Sequence, residues 1–115
     1  MQTATVDTPS LRSATARFFR VLGDPTRLAI SELLLERPRT VSEVVDAIGG
    51  SQSRISNHLA CLRWCRFVVD ERAGRQVTYR IADPDLRRVL AVADALAAKN
   101  CDHLASCRRI GPDWV

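Results

Sequence analysis

The fold is decided by the stretch Ser51–Cys65, which reads SQSRISNHLACLRWC. After a polar start, Ile55, Leu59 and Leu62 follow one another at intervals of four and three residues, so they share one face of an α-helix. The glycine pair at 49–50 predicts a turn before this helix. A helix, a glycine-containing turn and a second helix with a polar outer face are typical of a helix-turn-helix.

Hydrogen-bonding side chains cluster outside the apolar stripe, near the start of this helix. Short or planar side chains of this kind reach base edges and phosphates in the major groove of DNA. A helix face that is merely solvated would explain the polarity, but not the lack of Lys and Glu there. We therefore predict DNA contacts from Gln52, Ser53, Arg54, Ser56 and Asn57.

Three helices are predicted before this stretch. Apolar residues from Leu11 to Leu22 share one helical face, and the next helix is predicted over residues 24–37, with an aspartate as N-cap and a proline in its first turn. Pro38 ends that helix. Thr40 and Glu43 have the spacing of a capping box, which predicts a short third helix to about residue 48.

A β-hairpin is predicted after the stretch. Residues 67–72 and 76–81 are rich in β-branched and aromatic side chains and are separated by a short turn. Such a hairpin would form a wing beside the helix-turn-helix, gripping the DNA backbone mainly through its tip. Asp70 and Glu71 would oppose phosphate. We predict wing contacts from Arg72, Arg75 and Gln76.

A final helix is predicted over about residues 84–106, with an apolar stripe of Leu86, Leu90, Ala93 and Ala97 that Val89 and Leu96 widen. The simplest cover for this stripe is the same helix, or the N-terminal one, of a second copy. The expected fold is thus mainly α with a β-hairpin wing, a winged helix-turn-helix that forms a homodimer through its N- and C-terminal helices. It has one domain over residues 10–109, a flexible arm over 1–9 and a tail over 110–115.

Composition agrees with a DNA-binding protein. The chain has 115 residues, a formal charge of +4 and a pI near 9.3, and Lys99 is its only lysine, so arginine carries almost all the positive charge. No apolar run approaches the roughly 18 residues needed to cross a bilayer, and no signal peptide is recognisable. We expect a cytoplasmic protein without a membrane partner. Under reducing conditions its four cysteines favour metal or redox chemistry over disulfides.

Three stretches together resemble the ArsR/SmtB family of metal-sensing repressors. They are Leu22–Ile30, Ser53–Leu59 and Gly74–Ile81, and the similarity covers roughly residues 11–98. The resemblance implies a dimer that binds double-stranded operator DNA, expected to be an inverted repeat, and leaves it when metal binds. It also implies that His58 joins Ser53, Arg54, Ser56 and Asn57 at the operator.

Cys61 and Cys65 form the first half of a candidate metal site. Residues four apart stack on one side of a helix with Cβ atoms about 6 Å apart, so both sulfurs can reach one ion. His58 falls on the same side and is an alternative third ligand. Arginines near the cysteines in sequence are expected to lower the thiol pKa values. They are Arg63, Arg66, Arg108 and Arg109.

The second half of the site must come from elsewhere, and Cys101 and Cys107 are the available thiols. On one unbroken helix these two would point in different directions, so either the helix ends near Asn100 or only one of them is a ligand. The Cys-x-x-x-Cys pattern resembles a cadmium- and lead-sensing actinobacterial branch of the family, in which the third thiolate maps onto Cys101. Cys107 leaves open a four-thiolate site or one suited to mercury.

A donor set of thiolates selects soft ions, so the expected inducer is cadmium, lead or mercury, with no organic cofactor. Two alternatives use the same cysteines. A redox-sensing repressor would release DNA when Cys61, Cys65 or a tail thiol forms a disulfide. An enzyme would need Cys61 as nucleophile and His58 as base, but the sequence supplies no third member or oxyanion hole, which argues against it.

Overall fold

The computed structural model describes residues 8–107, and it confirms a mainly helical chain with a β-hairpin wing. None of the helices in this range is long and apolar enough to span a membrane. The elements in chain order are α1 (Thr8–Leu22), α2 (Pro25–Glu36), β1 (Arg39–Thr40), α3 (Val41–Ile48), α4 (Gln52–Trp64), β2 (Val68–Ala73), β3 (Gln76–Ile81), α5 (Leu86–Lys99) and α6 (Cys101–Ala105).

The starts of α2, α3 and α4 are each fixed by a side-chain cap. Asp24 accepts the backbone N–H at the start of α2, and Thr40 and Glu43 form both halves of a capping box on α3. Ser51 accepts the backbone N–H of Arg54 at 3.2 Å and so opens α4. Such caps satisfy backbone donors that have no partner within the helix. The helix-turn-helix, formed by α3 and α4, therefore begins where the sequence predicts.

The wing is an antiparallel hairpin of β2 and β3, and it ends in the pair Ala73 and Gln76. Gly74 has φ +63° in the connecting turn, a conformation that glycine adopts without strain. A third strand, β1, pairs with the other edge of β3 through Arg39 and Tyr79, which gives the sheet order β1-β3-β2. The two-residue β1 anchors the wing to the start of α3.

The core lies between α2, α3, α4 and the sheet. The apolar stripe of α4 is buried as predicted, with Ile55 2% exposed and Leu59 and Leu62 fully covered. Ile30 of α2 and Val44 of α3 are also fully covered. Because the stripe can face only this core, the rotation of α4 about its axis is set, and its polar residues must face outward.

Apolar side chains of α1 and α5 stay uncovered in the single chain. The predicted stripe on α5 is wrong in part, because Leu86 and Leu90 pack into the chain's own core and are only 7% and 6% exposed. The uncovered apolar residues include Val89 and Leu96, which widen the predicted stripe, together with one further residue of α5 and two of α1. They are Leu11, Phe19, Val89, Val92 and Leu96.

The helices near the two ends of the chain differ from their predicted bounds. Helix α1 begins at Thr8, so residues 8 and 9 of the predicted arm are helical, while residues 1–7 lie outside the described range. The predicted helix over 84–106 is two helices, because α5 ends at Lys99 and α6 begins at Cys101. Asn100 separates them and caps α5 with its backbone N–H. The predicted tail over 110–115 also lies outside the described residues.

Leu59→Ala should lower the free energy of unfolding by about 2–5 kcal/mol, because it leaves a cavity in the core that holds α4. Trp64→Ala removes a larger side chain from the same helix, but one that is 87% exposed. We expect its effect to stay within about 0.5 kcal/mol. Urea unfolding followed by circular dichroism measures both, and equal losses would contradict the assigned orientation of α4.

Candidate metal centre and nucleic-acid interface

The polar residues at the start of α4 face solvent, as the sequence predicts. Arg54 and Asn57 are exposed, and Ser56 is half-buried at the edge of the core stripe. Gln52 and Ser53 are also exposed, and the Ser53 hydroxyl lies 3.3 Å from that of the N-cap serine. These five side chains form one surface, which we call the α4 polar face. It projects from the protein in the manner required of a helix that enters a groove.

Acidic residues of the wing are neutralised by arginines outside its tip. Glu71 accepts a hydrogen bond from Arg80 at 2.6 Å, and Asp70 lies 3.9 Å from Arg63 of α4. Sequence reasoning treated both carboxylates as repelling phosphate and missed these partners. The Arg80–Glu71 pair depends on the register of β2 and β3, and the Arg63–Asp70 pair depends on how α4 packs against β2. The local sequence reveals neither.

The predicted DNA-contacting arginines have no acidic partner. Within residues 8–107, no carboxylate pairs with Arg54, Arg72 or Arg75, and each of these side chains is exposed. Gln76 is exposed beside them at the start of β3. The cationic charge of the α4 polar face and of the wing tip is therefore available to an external anion.

His58 lies apart from the α4 polar face. Its side chain is 18% exposed, and its Nδ1 is 3.9 Å from Oδ2 of Asp24, the N-cap of α2. The same carboxylate oxygen accepts the backbone N–H of Arg27 at 2.9 Å. His58 thus joins α4 to the start of α2 in this chain, and the operator contact implied by the family resemblance stays a prediction.

Cys61 and Cys65 are brought together at the end of α4. Cys65 donates its backbone N–H to the Cys61 carbonyl at 3.0 Å, so the two cysteines lie one helical turn apart. The helix closes immediately afterwards, where Phe67 donates its N–H to the Leu62 carbonyl at 2.9 Å and Arg66 has φ +65°. The fold therefore keeps Cys61 and Cys65 one turn apart, and their role as joint metal ligands stays a prediction.

The electrostatics of the pair differ from the sequence-based expectation. The pKa of Cys65 is raised, first by partial loss of solvent around the thiol and then by the charge of Cys61 and its hydrogen bond. The cation that opposes this rise is Arg27 of α2, whose Nε donates to the Val21 carbonyl at 2.7 Å. The expected lowering of the Cys65 pKa by its sequence neighbours Arg63 and Arg66 is wrong, since neither is among its causes.

The tail cysteines do not join the pair within one subunit. Cys101 is exposed at the start of α6, and Cys107 is half-buried beyond its end. Among the described residues, no three His, Cys, Asp or Glu side chains are grouped so that they could hold a metal ion. The donors present are two soft sulfurs, which fit a soft ion that accepts two ligands.

Comparison with protein families places the helix-turn-helix in a known group. Residues 24–69 match the bacterial regulatory protein, arsR family. The protein named "Probable mercury resistance operon repressor" from Streptomyces lividans is 42% identical over 93% of this chain and 86% of its own length. The HTH-type transcriptional regulator CmtR from Mycobacterium tuberculosis is 45% identical over 68% of this chain and 66% of its own length.

Solved structures agree with the fold. The NMR structure of the cadmium metal-sensor CmtR superposes with a TM-score of 0.58 at 43% identity, over 66% of this chain and 79% of that one. A homodimeric winged helix-turn-helix DNA-binding domain, Mb0332 from Mycobacterium bovis, superposes with a TM-score of 0.75 at 28% identity. That match covers 90% of this chain and 95% of the other.

The raised pKa of Cys65 gives a testable pH dependence. Because only the thiolate reacts, alkylation of Cys65 by iodoacetamide should reach half its maximal rate at a higher pH than alkylation of a free cysteine. Cys61→Ser removes a neighbouring negative charge and should lower this midpoint, whereas Arg27→Gln should raise it. Peptide mass spectrometry measures the rates. A midpoint below that of free cysteine would contradict this electrostatic description.

Proposed function

The chain belongs to the ArsR family of bacterial regulatory proteins, and from this premise we propose that it is a metal-responsive repressor. Proteins of this family are winged helix-turn-helix regulators of transcription and not enzymes. We propose that a dimer binds operator DNA in the cytoplasm and dissociates when a soft ion binds its thiolates. The main support for this proposal is that the α4 polar face lies at the start of α4, while Cys61 and the C-cap Cys65 lie at the end of the same helix.

Charge and shape support the DNA part of the proposal. The α4 polar face would enter the major groove, where Arg54 and Asn57 are of the types that bond guanine and adenine edges. Arg72 and Arg75 at the wing tip would contact the phosphate backbone with Gln76 beside them. Because Asp70 and Glu71 already have arginine partners, the wing can approach the backbone without two free negative charges.

Uncovered apolar residues support the dimer. Phe19 of α1 and Val92 and Leu96 of α5 are more than half exposed in the single chain, on the elements that sequence reasoning assigned to the subunit contact. Burying them against a second copy would remove apolar surface from water. A two-fold dimer presents two α4 helices, and half-sites about one helical turn apart would form an inverted repeat.

Thiolate chemistry supports a soft ion as the inducer. Cys61 and Cys65 supply two sulfurs, a donor type that selects cadmium, lead or mercury over harder ions. The names of two relatives refer to mercury resistance and to cadmium sensing. We propose that Cys101, and with it Cys107, completes the shell for ions that need three or four sulfurs, and that these donors come from the partner subunit, since residues 8–107 of one subunit do not assemble such a group.

The proposed coupling runs through α4 itself. Cys61 lies in its last turn and Cys65 is its C-cap, while the side chains proposed to read DNA lie in its first two turns. A rigid helix cannot tilt at one end without moving the other, so drawing the thiol pair toward a tail ligand would misalign the α4 polar face with the groove. The affinities for operator and metal must then oppose each other by the same factor, typically about 5- to 150-fold.

A redox-sensing repressor is the second candidate, and the proximity of the two thiols favours it. Cys61 and Cys65 lie one helical turn apart, so an oxidised sulfur on one has a second thiol nearby. Against this candidate, cysteines four apart on a regular helix suit the geometry of a disulfide poorly. A disulfide would require the end of α4 to unwind or a tail cysteine to take part.

Operator binding should depend on the unpaired arginines. Arg54→Ala should weaken binding by about 1–3 kcal/mol and relax the preference for one base pair, because it removes a side chain that reads bases. Arg75→Ala should lower the slope of log K against log salt by about one unit, because it removes a phosphate contact. Fluorescence anisotropy with labelled operator measures both effects.

The matched control is Arg88→Ala, which removes the same charge from the exposed surface of α5, where Arg88 pairs with Asp85 at 3.5 Å. Its salt slope should change far less than that of Arg75→Ala. Equal slopes for the two variants would show that net charge alone governs binding, and would remove the wing from the interface.

Metal release should require both thiols of α4. Cys61→Ser and Cys65→Ser should each keep operator binding but lose release by cadmium, lead and mercury, because a hydroxyl is a poor ligand for soft ions. Ala60→Ser, an exposed position on the same helix, is the control and should respond normally. Release is measured by anisotropy, and sulfur coordination by ultraviolet thiolate-to-metal absorption.

The same assay separates the tail ligands and the redox candidate. Loss of cadmium response in Cys101→Ser but not in Cys107→Ser would assign the third thiolate to Cys101. If peroxide releases the native protein from operator while the metals do not, the redox candidate replaces the metal sensor.

A further inference from the structure

An apolar cavity of about 290 Å³ opens beside Cys65. It lies between α1, α5 and the segment that follows α4, and Cys65 forms part of its wall. Phe18 and Phe67 line it as a stacked pair, with ring centroids 4.9 Å apart and an angle of 27° between the rings. Leu86 and Val89 of α5 complete its apolar lining. A thiol that could hold a metal therefore borders a space that suits a hydrocarbon group.

We propose that Cys65 and this cavity bind a monoorganomercury(II) cation, with mercury on the sulfur and the organic substituent in the cavity. This inference rests on the proposed function, because it names a class of inducer for the same thiol pair. In the binding step, the cation exchanges a water ligand for sulfur: the Cys65 thiol gives its proton to solvent, the water leaves mercury, and a sulfur–mercury bond forms. The carbon–mercury bond stays intact, and no atom is oxidised or reduced.

The number of ligands fits this class of compound. Two-coordinate mercury that already carries one carbon needs a single sulfur, and Cys65 supplies it without a third donor, which one subunit lacks among its described residues. The Cys61 thiol, which lies one helical turn before Cys65, can take the mercury in exchange. The described residues of one chain thus supply both groups that the proposed site requires, a thiol and an apolar cavity beside it.

The charges at the cavity rim are mixed. Asp83 and Asp85 line it, and so does Arg66. Asp85 is paired with Arg88 at 3.5 Å, while Asp83 accepts the backbone N–H of Asp85 at 2.9 Å. The Asp83 carboxylate is therefore the acidic group at the rim that has no arginine partner within the described chain. It offers an approaching organomercury cation a favourable charge, against the opposing charge of Arg66.

The substituent preference is tested by exchange against a free thiol. A variant with serine at positions 61, 101 and 107 leaves Cys65 as the single thiol, and N-acetylcysteine competes with it for phenylmercury or for methylmercury. Because each mercurial is compared on two sulfurs, its intrinsic affinity for thiolate cancels. Protein-bound mercury is measured after gel filtration. We expect the exchange constant for phenylmercury to exceed that for methylmercury by about tenfold or more, because the ring leaves water.

Cavity filling provides the matched test. Val89→Trp should bring the phenyl-to-methyl ratio close to one, and Val89→Phe serves if the larger side chain prevents folding. Ala91→Trp is the control, since Ala91 is an exposed residue of α5 that neither lines the cavity nor belongs to the proposed subunit contact. It should keep the ratio of the parent. A ratio near one in the parent, or a ratio that a folded Val89 variant leaves unchanged, would overturn the inference.

A parallel measurement separates this inference from the proposed function. Inorganic mercury(II) and phenylmercury are added separately to the native protein on its operator. Release by mercury(II) together with a phenyl-to-methyl ratio near one would remove the cavity site and leave the metal sensor standing. A ratio of tenfold without release by either form of mercury would support the cavity site as a binding site and contradict the proposed repressor mechanism.

Discussion

Burial of one apolar stripe on α4 is the constraint on which the rest of the structure depends. Ile55, Leu59 and Leu62 are almost completely covered by α2, α3 and the sheet, so α4 has a single allowed rotation. That rotation turns Arg54 and Asn57 outward at one end and leaves the thiols on the flank at the other. If the stripe were buried differently, neither the DNA-facing surface nor the thiol pair would be accessible. Packing in the core therefore determines both candidate sites at once.

Charge pairing then separates the arginines by role. Arg63 and Arg80 are occupied by the carboxylates of the wing, while Arg54, Arg72 and Arg75 have no acidic partner in the described residues. A net charge of +4 is modest, so its distribution matters more than its size.

At the other end of α4, the raised pKa of Cys65 favours the protonated thiol in the absence of a ligand, and binding must release its proton.

The local sequence predicts those features that depend on interactions between residues close together in the chain. The caps at Asp24, Thr40 and Ser51, the buried stripe of α4 and the hairpin are all read from neighbouring residues, and the structure contains them. Sequence reasoning misses what depends on tertiary packing: strand β1 is too short to show a pattern, and the Arg27 that acts on Cys65 comes from another helix. The same limit explains the α5 stripe, since a helical period cannot tell which of two adjacent faces meets the chain's own core.

The central claim is that operator and metal compete for one conformation of α4. Its most direct test is a complete thermodynamic cycle on the native dimer, in which cadmium affinity is measured with and without saturating operator, and operator affinity with and without cadmium. The account predicts that operator weakens cadmium binding by the same factor by which cadmium weakens operator binding, about 5- to 150-fold. Equal cadmium affinity for the free and operator-bound protein would contradict it, because the thiol pair would then be independent of the DNA-reading end of the helix.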